Sequence, residues 1–144
     1  MAINENEVEP FEGQYLTKEE YIAYGGNSTI GNMPFNLLEF EARRLIDIKT
    51  FNRLKGGNDI PQEVKLCDYQ LINSIVSYND TINGISESGS KASESTDGYS
   101  VSYITRSNLK DIIETNSVEY NNIIDKYLMF VVYNGEHLLY RGLW

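Results

Sequence analysis

Three runs of apolar residues at three- and four-residue steps constrain this chain more than any other feature, because each run marks one face of an α-helix that has to be buried against something. The first is Phe35, Leu38, Ala42, Leu45 and Ile46, with Pro34 suited to a first turn and Glu39, Glu41, Arg43 and Arg44 mostly off the stripe; it predicts a helix over 34–53. The second follows Asp59, Pro61 and Gln62 and runs Val64, Cys67, Leu71, Ile75, Tyr78, Ile82 until Gly84, predicting a helix over 60–83. The third, capped by Ser107, carries Leu109, Ile112, Ile113, Val118, Ile123, Ile124, Tyr127 and Leu128 over 107–128, and the polar pair Asn116-Ser117 marks where it would break. Ahead of them Thr17 and Glu20 have the spacing of a capping box, opening a two-turn helix over 17–24 that Gly25-Gly26 stops. Leu38, Leu45, Leu71 and Ile75 are the expected core.

Asn134-Gly135 then separates Val131-Val132-Tyr133 from Glu136-His137-Leu138-Leu139. Asn-Gly between apolar runs is the strongest short-range hairpin signal, since a two-residue type I′ turn needs positive φ at both positions. The expected fold is therefore mainly α: a bundle of about four helices with a C-terminal β-hairpin. Residues 1–14, with Glu5, Glu7, Glu9, Glu12 and no periodicity, read as a flexible acidic arm; 15–128 form the helical domain; 129–144 form the hairpin and tail. Within the helical domain, 86–104 reads as a mobile loop and strand. Residues 86–98 (SESGSKASESTDG) have loop composition, and Tyr99, Val101 and Tyr103 alternate with Ser100 and Ser102 like an edge strand.

A chain of 144 residues supports one modest core. Its 12 Lys and Arg stand against 21 Asp and Glu, a net charge of -9 with no basic stripe, so neutralising nucleic-acid phosphates is not its task. The single cysteine, Cys67, excludes an internal disulfide and a cysteine-based zinc site, and it falls on an apolar stripe where it acts as a small hydrophobe. The lone histidine, His137, has no nucleophile or acidic orienter at meaningful spacing. The glycine pairs at 25–26 and 56–57 fit helix stops, not phosphate loops, and the carboxylate pairs fit a solvated helix face. No catalytic, cofactor-binding or metal-ligating constellation emerges, and the expectation is a non-enzyme without a cofactor. The first residues lack a signal peptide's basic and apolar regions, and the longest apolar run, Leu128 to Tyr133, is too short to span a bilayer.

Eleven tyrosines suit either contact surfaces or the core and surface of an ordinary small domain. Arg43, Arg44 and Arg53 are the strong positive points on the central helices; either they pair within the helix, with Glu39 or Asp47, or they pair across a subunit boundary.

Taken in order, Tyr15-Leu16-Thr17-Lys18-Glu19-Glu20-Tyr21, Gly25-Gly26, Phe35 to Asp47, Thr50-Phe51-Asn52-Arg53-Leu54, the Ser-rich segment with Asp97-Gly98-Tyr99-Ser100-Val101-Ser102-Tyr103, and Leu138-Leu139-Tyr140-Arg141-Gly142 resemble the head-tail connector (adaptor) proteins of tailed bacteriophages over nearly all of 15–143. The acidic leader and the long Ser-rich segment depart from that pattern. The resemblance implies a mostly helical structural virion protein, made in the host bacterial cytoplasm and residing in the virion neck. Such proteins form a ring of twelve copies below the portal, extend the DNA channel and carry the next neck or tail-completion protein. An acidic wall suits such a channel, because DNA would pass it without specific binding.

Within that role the expected portal contact is the C-terminal segment, Leu138, Leu139, Tyr140, Arg141, Gly142, Leu143 and Trp144, adding a strand to a portal sheet. Arg43, Arg44, Arg53, Tyr99, Val101 and Tyr103 are the expected contacts between subunits or with the neck protein. The rival class is an acidic DNA mimic that occupies a nucleic-acid-binding site, which the net charge also permits.

Overall fold

The computed structural model describes residues 8–57, 59–94 and 106–139. It contains four helices, α1 (Lys18–Ala23), α2 (Asn32–Lys49), α3 (Gln62–Glu94) and α4 (Arg106–Leu128), and two short strands, β1 (Val132–Tyr133) and β2 (Glu136–His137). The central α3 packs on α2 along one side and on α4 along the other, while α2 and α4 touch only slightly and α1 rests on α2. The helical bundle with a terminal hairpin is therefore the fold the apolar stripes predict.

The capping box of α1 is present in full. The Thr17 hydroxyl accepts from the Glu20 amide at 3.1 Å, and the Glu20 carboxylate accepts from the Thr17 amide at 3.1 Å. So short a helix has no stability of its own. It is held by the buried ring of Tyr21, tilted against Phe35 and Tyr69 at centroid separations of 5.2 and 5.3 Å, whose hydroxyl donates to Asn73 at 2.6 Å. Gly26 lies flat beneath that ring: a Cβ there would sit 2.2 Å from it, so the stop after α1 requires glycine for space.

Four element boundaries differ from the sequence-based expectation, each for a local reason. Helix α2 starts at Asn32 behind Gly31 and ends at Lys49, not near 53. Its chain is turned out of the helix by positive φ at Phe51 and Asn52 (57° and 60°), while the Thr50 hydroxyl folds back on the Ile46 carbonyl at 2.9 Å. This turn delivers Leu54 to the core, where it is fully buried. Helix α3 passes through Gly84 and continues to Glu94, so residues 86–94 are helical and not loop. Gly84 and Gly89 each cost the helix only about 1 kcal/mol, and no proline follows to stop propagation. Helix α4 crosses Asn116-Ser117 unbroken, since Asn and Ser each cost a helix interior less than a glycine would and no proline is present. Residues 8–14, expected within the flexible arm, are docked on α2: Asn36 and Asn32 donate their side-chain amides to the carbonyls of Glu9 (2.9 Å) and Val8 (3.4 Å). The remainder of the arm, residues 1–7, and the alternating segment with Tyr99, Val101 and Tyr103 lie outside the described residues.

Of the four expected core residues, Leu71 and Ile75 are buried, and Leu38 and Leu45 are half-buried against the core. The unexpected member is Glu39, fully buried on the inner face of α2. One carboxylate oxygen accepts from the Tyr15 amide at 3.0 Å and the other from Arg43 Nε at 3.1 Å. It also faces Asp68 of α3, which is fully buried and whose two oxygens meet no N–H or hydroxyl donor among the described residues. Two carboxylates cannot satisfy each other; one carboxylic acid and one carboxylate can. Burial first, then the charge of Glu39, push Asp68 well above the ordinary carboxylate range, and burial raises Glu39 as well, so the two facing carboxyls favour a form with one proton between them.

A carboxyl with a raised folded-state pKa stabilises the fold fully below its unfolded value, and that contribution declines as pH rises towards the folded value. Asp68→Asn, which keeps a donor facing Glu39, is expected to reduce this decline, leaving the smaller part that comes from Glu39. Chemical-denaturation midpoints measured from pH 4 upward should fall for the native chain and stay flatter for the variant; parallel curves would exclude the shared proton.

Candidate assembly interface

The hairpin forms at the expected residues. Asn134 and Gly135 have φ of 51° and 84°, Val132 pairs with His137 and Tyr133 with Glu136, as a type I′ turn requires. An isolated two-stranded hairpin is marginal in water. This one is bolted to the bundle by Arg53, whose Nη1 donates to the carbonyls of His137 (2.8 Å) and Leu138 (3.0 Å) while Nε pairs with Glu136 at 3.2 Å. The guanidinium lies over the Phe51 ring at 5.1 Å. Gly57 completes the seat, since a Cβ there would approach the Tyr133 hydroxyl to 2.0 Å.

That attachment corrects the expected portal contact at two positions. Leu138 is fully buried in the chain's own core, and Leu139 packs half-buried against it, so neither is free to fill a site on another protein. In sequence an apolar pair after a hairpin turn resembles a sticky end, whereas here it completes the chain's own core. Tyr140, Arg141, Gly142, Leu143 and Trp144 lie outside the described residues. His137 is exposed on the hairpin, with its backbone used by Arg53.

The three arginines part company. Arg43 pairs within α2, with Glu39, and its guanidinium lies over Tyr15 and Phe40 at 5.9 and 5.4 Å. Arg53 pairs within the chain too, but with the hairpin. Arg44 is exposed and makes no salt bridge among the described residues, which leaves it as the one of the three available for another molecule.

The sequence shows an apolar surplus on the helix over 34–53, and the structure resolves it into an outer face of α2 that the sequence reading did not name residue by residue. Met33, Leu37, Phe40, Ile48 and Phe51 are all exposed and, with Arg44, recur at three- and four-residue steps, a second apolar stripe on the helix and the turn that ends it. The signal was available, because a helix apolar on more than one face is normally covered on both. A second exposed group, Met129, Phe130 and Val132, stands where α4 gives way to the hairpin, and Phe130 is 85% exposed. Between the outer parts of α2 and α4, where they do not meet, an open groove of about 490 Å³ is lined by Phe40, Leu45, Ile75, Tyr78, Ile113 and Tyr120, with Glu41 and Arg44 at its edge. Contiguous exposed apolar side chains of this kind make these surfaces the candidates for contact with another molecule.

No described helix is long and apolar enough to cross a membrane. Compared with protein-family models, curated proteins and solved structures, the chain matches none.

Arg53→Ala should cost roughly 2 kcal/mol, within the usual range for charged donors that serve carbonyls. Arg53→Lys should recover only part, because a single ammonium cannot span two carbonyls and a carboxylate with the same fork. Hydrogen exchange is the test: the Leu138 amide, bonded to the Val131 carbonyl at 3.0 Å, should lose protection before the helices do.

Proposed function

We propose that this chain is a structural subunit of the bacteriophage neck: a head-tail connector that assembles head-to-tail into a ring of about twelve copies below the portal and joins the capsid to the next neck or tail-completion protein. The observation that carries the reading is the pair of unlike apolar surfaces, the outer face of α2 and the end of the bundle at Met129, Phe130 and Val132, on one acidic body. Unlike patches on one subunit generate heterologous contacts, which close into rings when the rotation permits. The ordered resemblance over 15–143 supports the same reading.

In this role the net charge of -9 serves the channel, since a wall of repeated acidic subunits holds DNA loosely and lets it pass. With Leu138 committed to the core, the portal contact falls to the residues beyond Leu139, where Tyr140 and Arg141 are of the types that anchor interfaces.

Native mass spectrometry of the chain alone and with portal-bearing capsids tests the proposal. The expected result is a mass near twelve copies with the portal. Deletion of 140–144 should leave the thermal transition unchanged and abolish co-sedimentation with capsids, because anchors worth on the order of 2 kcal/mol each act together around a ring. A chain that stays monomeric beside the portal and instead captures a DNA-binding protein would be a DNA mimic, not a connector.

A further inference from the structure

We propose that Phe130, with Met129, of one copy seats in the α2–α3–α4 groove of a second copy, forming the repeated contact of the assembly. The inference rests on the connector reading for its oligomer but names the surfaces independently of it.

Phe130 is the most exposed large apolar side chain among the described residues, and Met129 beside it is half-exposed. A buried aromatic removes roughly 150–250 Å² from water, so leaving one this open is costly unless it is covered. The groove offers the matching concavity, walled by Phe40, Tyr78 and Tyr120 with Leu45, Ile75 and Ile113, and its volume of about 490 Å³ accommodates an aromatic ring with a thioether beside it.

Each surface carries one exposed charge of either sign, so the two can pair in one relative orientation. The groove's edge carries Glu41 and Arg44, and the turn of α4 before the knob carries exposed Asp125 and Lys126; none of these four makes a salt bridge among the described residues. Seating Phe130 would let Lys126 meet Glu41 and Asp125 meet Arg44.

The knob cannot fill its own groove. The α4 side of the groove ends at Tyr120, and Phe130 follows the same continuous helix, so at about 1.5 Å of rise per residue the two stand on the order of 15 Å apart. A knob and a hole at separate places on one rigid subunit can meet only between copies, and they then generate a head-to-tail series.

Two single variants test this directly. Phe130→Cys and Ile113→Cys alter exposed positions and should leave the fold intact, which a thermal transition checks, and the native Cys67 is buried away from oxidants. Mixed in equal amounts and oxidised, alone and with portal-bearing capsids, they should give a mixed 130–113 disulfide in clear excess over either homodimer. Phe130→Ala should weaken self-association on the order of 30-fold. A second arm reverses charge: Lys126→Glu should weaken assembly and Glu41→Lys in the same chain should restore it.

Homodimers in equal or greater yield, or no disulfide with or without capsids, would overturn the contact. If the native chain still reaches the mass of a ring when that happens, the connector reading stands and only the knob-and-groove assignment fails. If the native chain forms no ring with the portal yet the mixed disulfide dominates, the contact stands and the connector reading fails.

Discussion

The carboxyl group of Glu39 is where the segments of this fold are joined. It sits on the inner face of α2, takes the amide of Tyr15 from the incoming chain, holds Arg43 one turn along, and faces the buried carboxyl of Asp68 on α3. Each partner is positioned by the others. The Tyr15 ring lies under Arg43, and its hydroxyl donates to Asp47 at 2.5 Å, so the segment before α1 is fastened at backbone and side chain alike. A buried network of this kind adds little net stability against a well-packed apolar alternative, but it is severe on arrangements that leave a member unpaired. Its effect is to fix which face of α2 meets α3, and therefore which face is left outside.

That consequence links the interior to the surface. Because the polar cluster fixes α2 in one rotation, Phe35, Ala42 and Ile46 go inward and Met33, Leu37, Phe40 and Ile48 stay in contact with water. The exposed stripe is thus the remaining face of a helix whose register is decided elsewhere. A rigid helix with a fixed apolar outer face is the form of surface that repeated subunits can pack against without rearranging. The positive φ values at Phe51 and Asn52 belong to the same economy of placement: bulky residues are rarely held there, and here the turn brings Leu54 into the core and Arg53 to the hairpin.

Much of the fold was legible because it rests on local rules. The capping box at Thr17 and Glu20, the stop at Gly25-Gly26 and the Asn134-Gly135 turn each follow from residue types at fixed offsets, and the structure has all three. What was hidden depended on partners distant in sequence. Glu39 reads as a surface acid because nothing local reveals that Tyr15 and Asp68 will be there to receive it. Leu138 reads as a free edge because its place is defined by Leu54, Val131 and Arg53 together. Arg53 offered a choice between pairing within its helix and pairing across a subunit, and the answer was neither, since α2 had already ended. The α3 extension is hidden for a different reason: Gly84 and the Ser-rich run look like a helix end, yet two isolated glycines without a proline do not stop propagation.

The bolted hairpin bears on how an assembly of such subunits would behave. A β-ribbon held only by its turn would fold on contact with a partner and lose part of the contact energy to its own ordering. Here Leu138 is already in the core and Arg53 already spans two carbonyls, so the apolar residues that precede β1 are presented by a preformed support. Preorganisation matters most when one contact is repeated around a closed ring, because any ordering cost is incurred at every subunit while closure adds one constraint to the whole. The acidic surface acts in the opposite direction: like charges on neighbouring copies oppose premature association of free subunits. Short-range apolar contact, opposed by diffuse repulsion, makes association sensitive to a template that gathers the copies, and less so to their concentration alone.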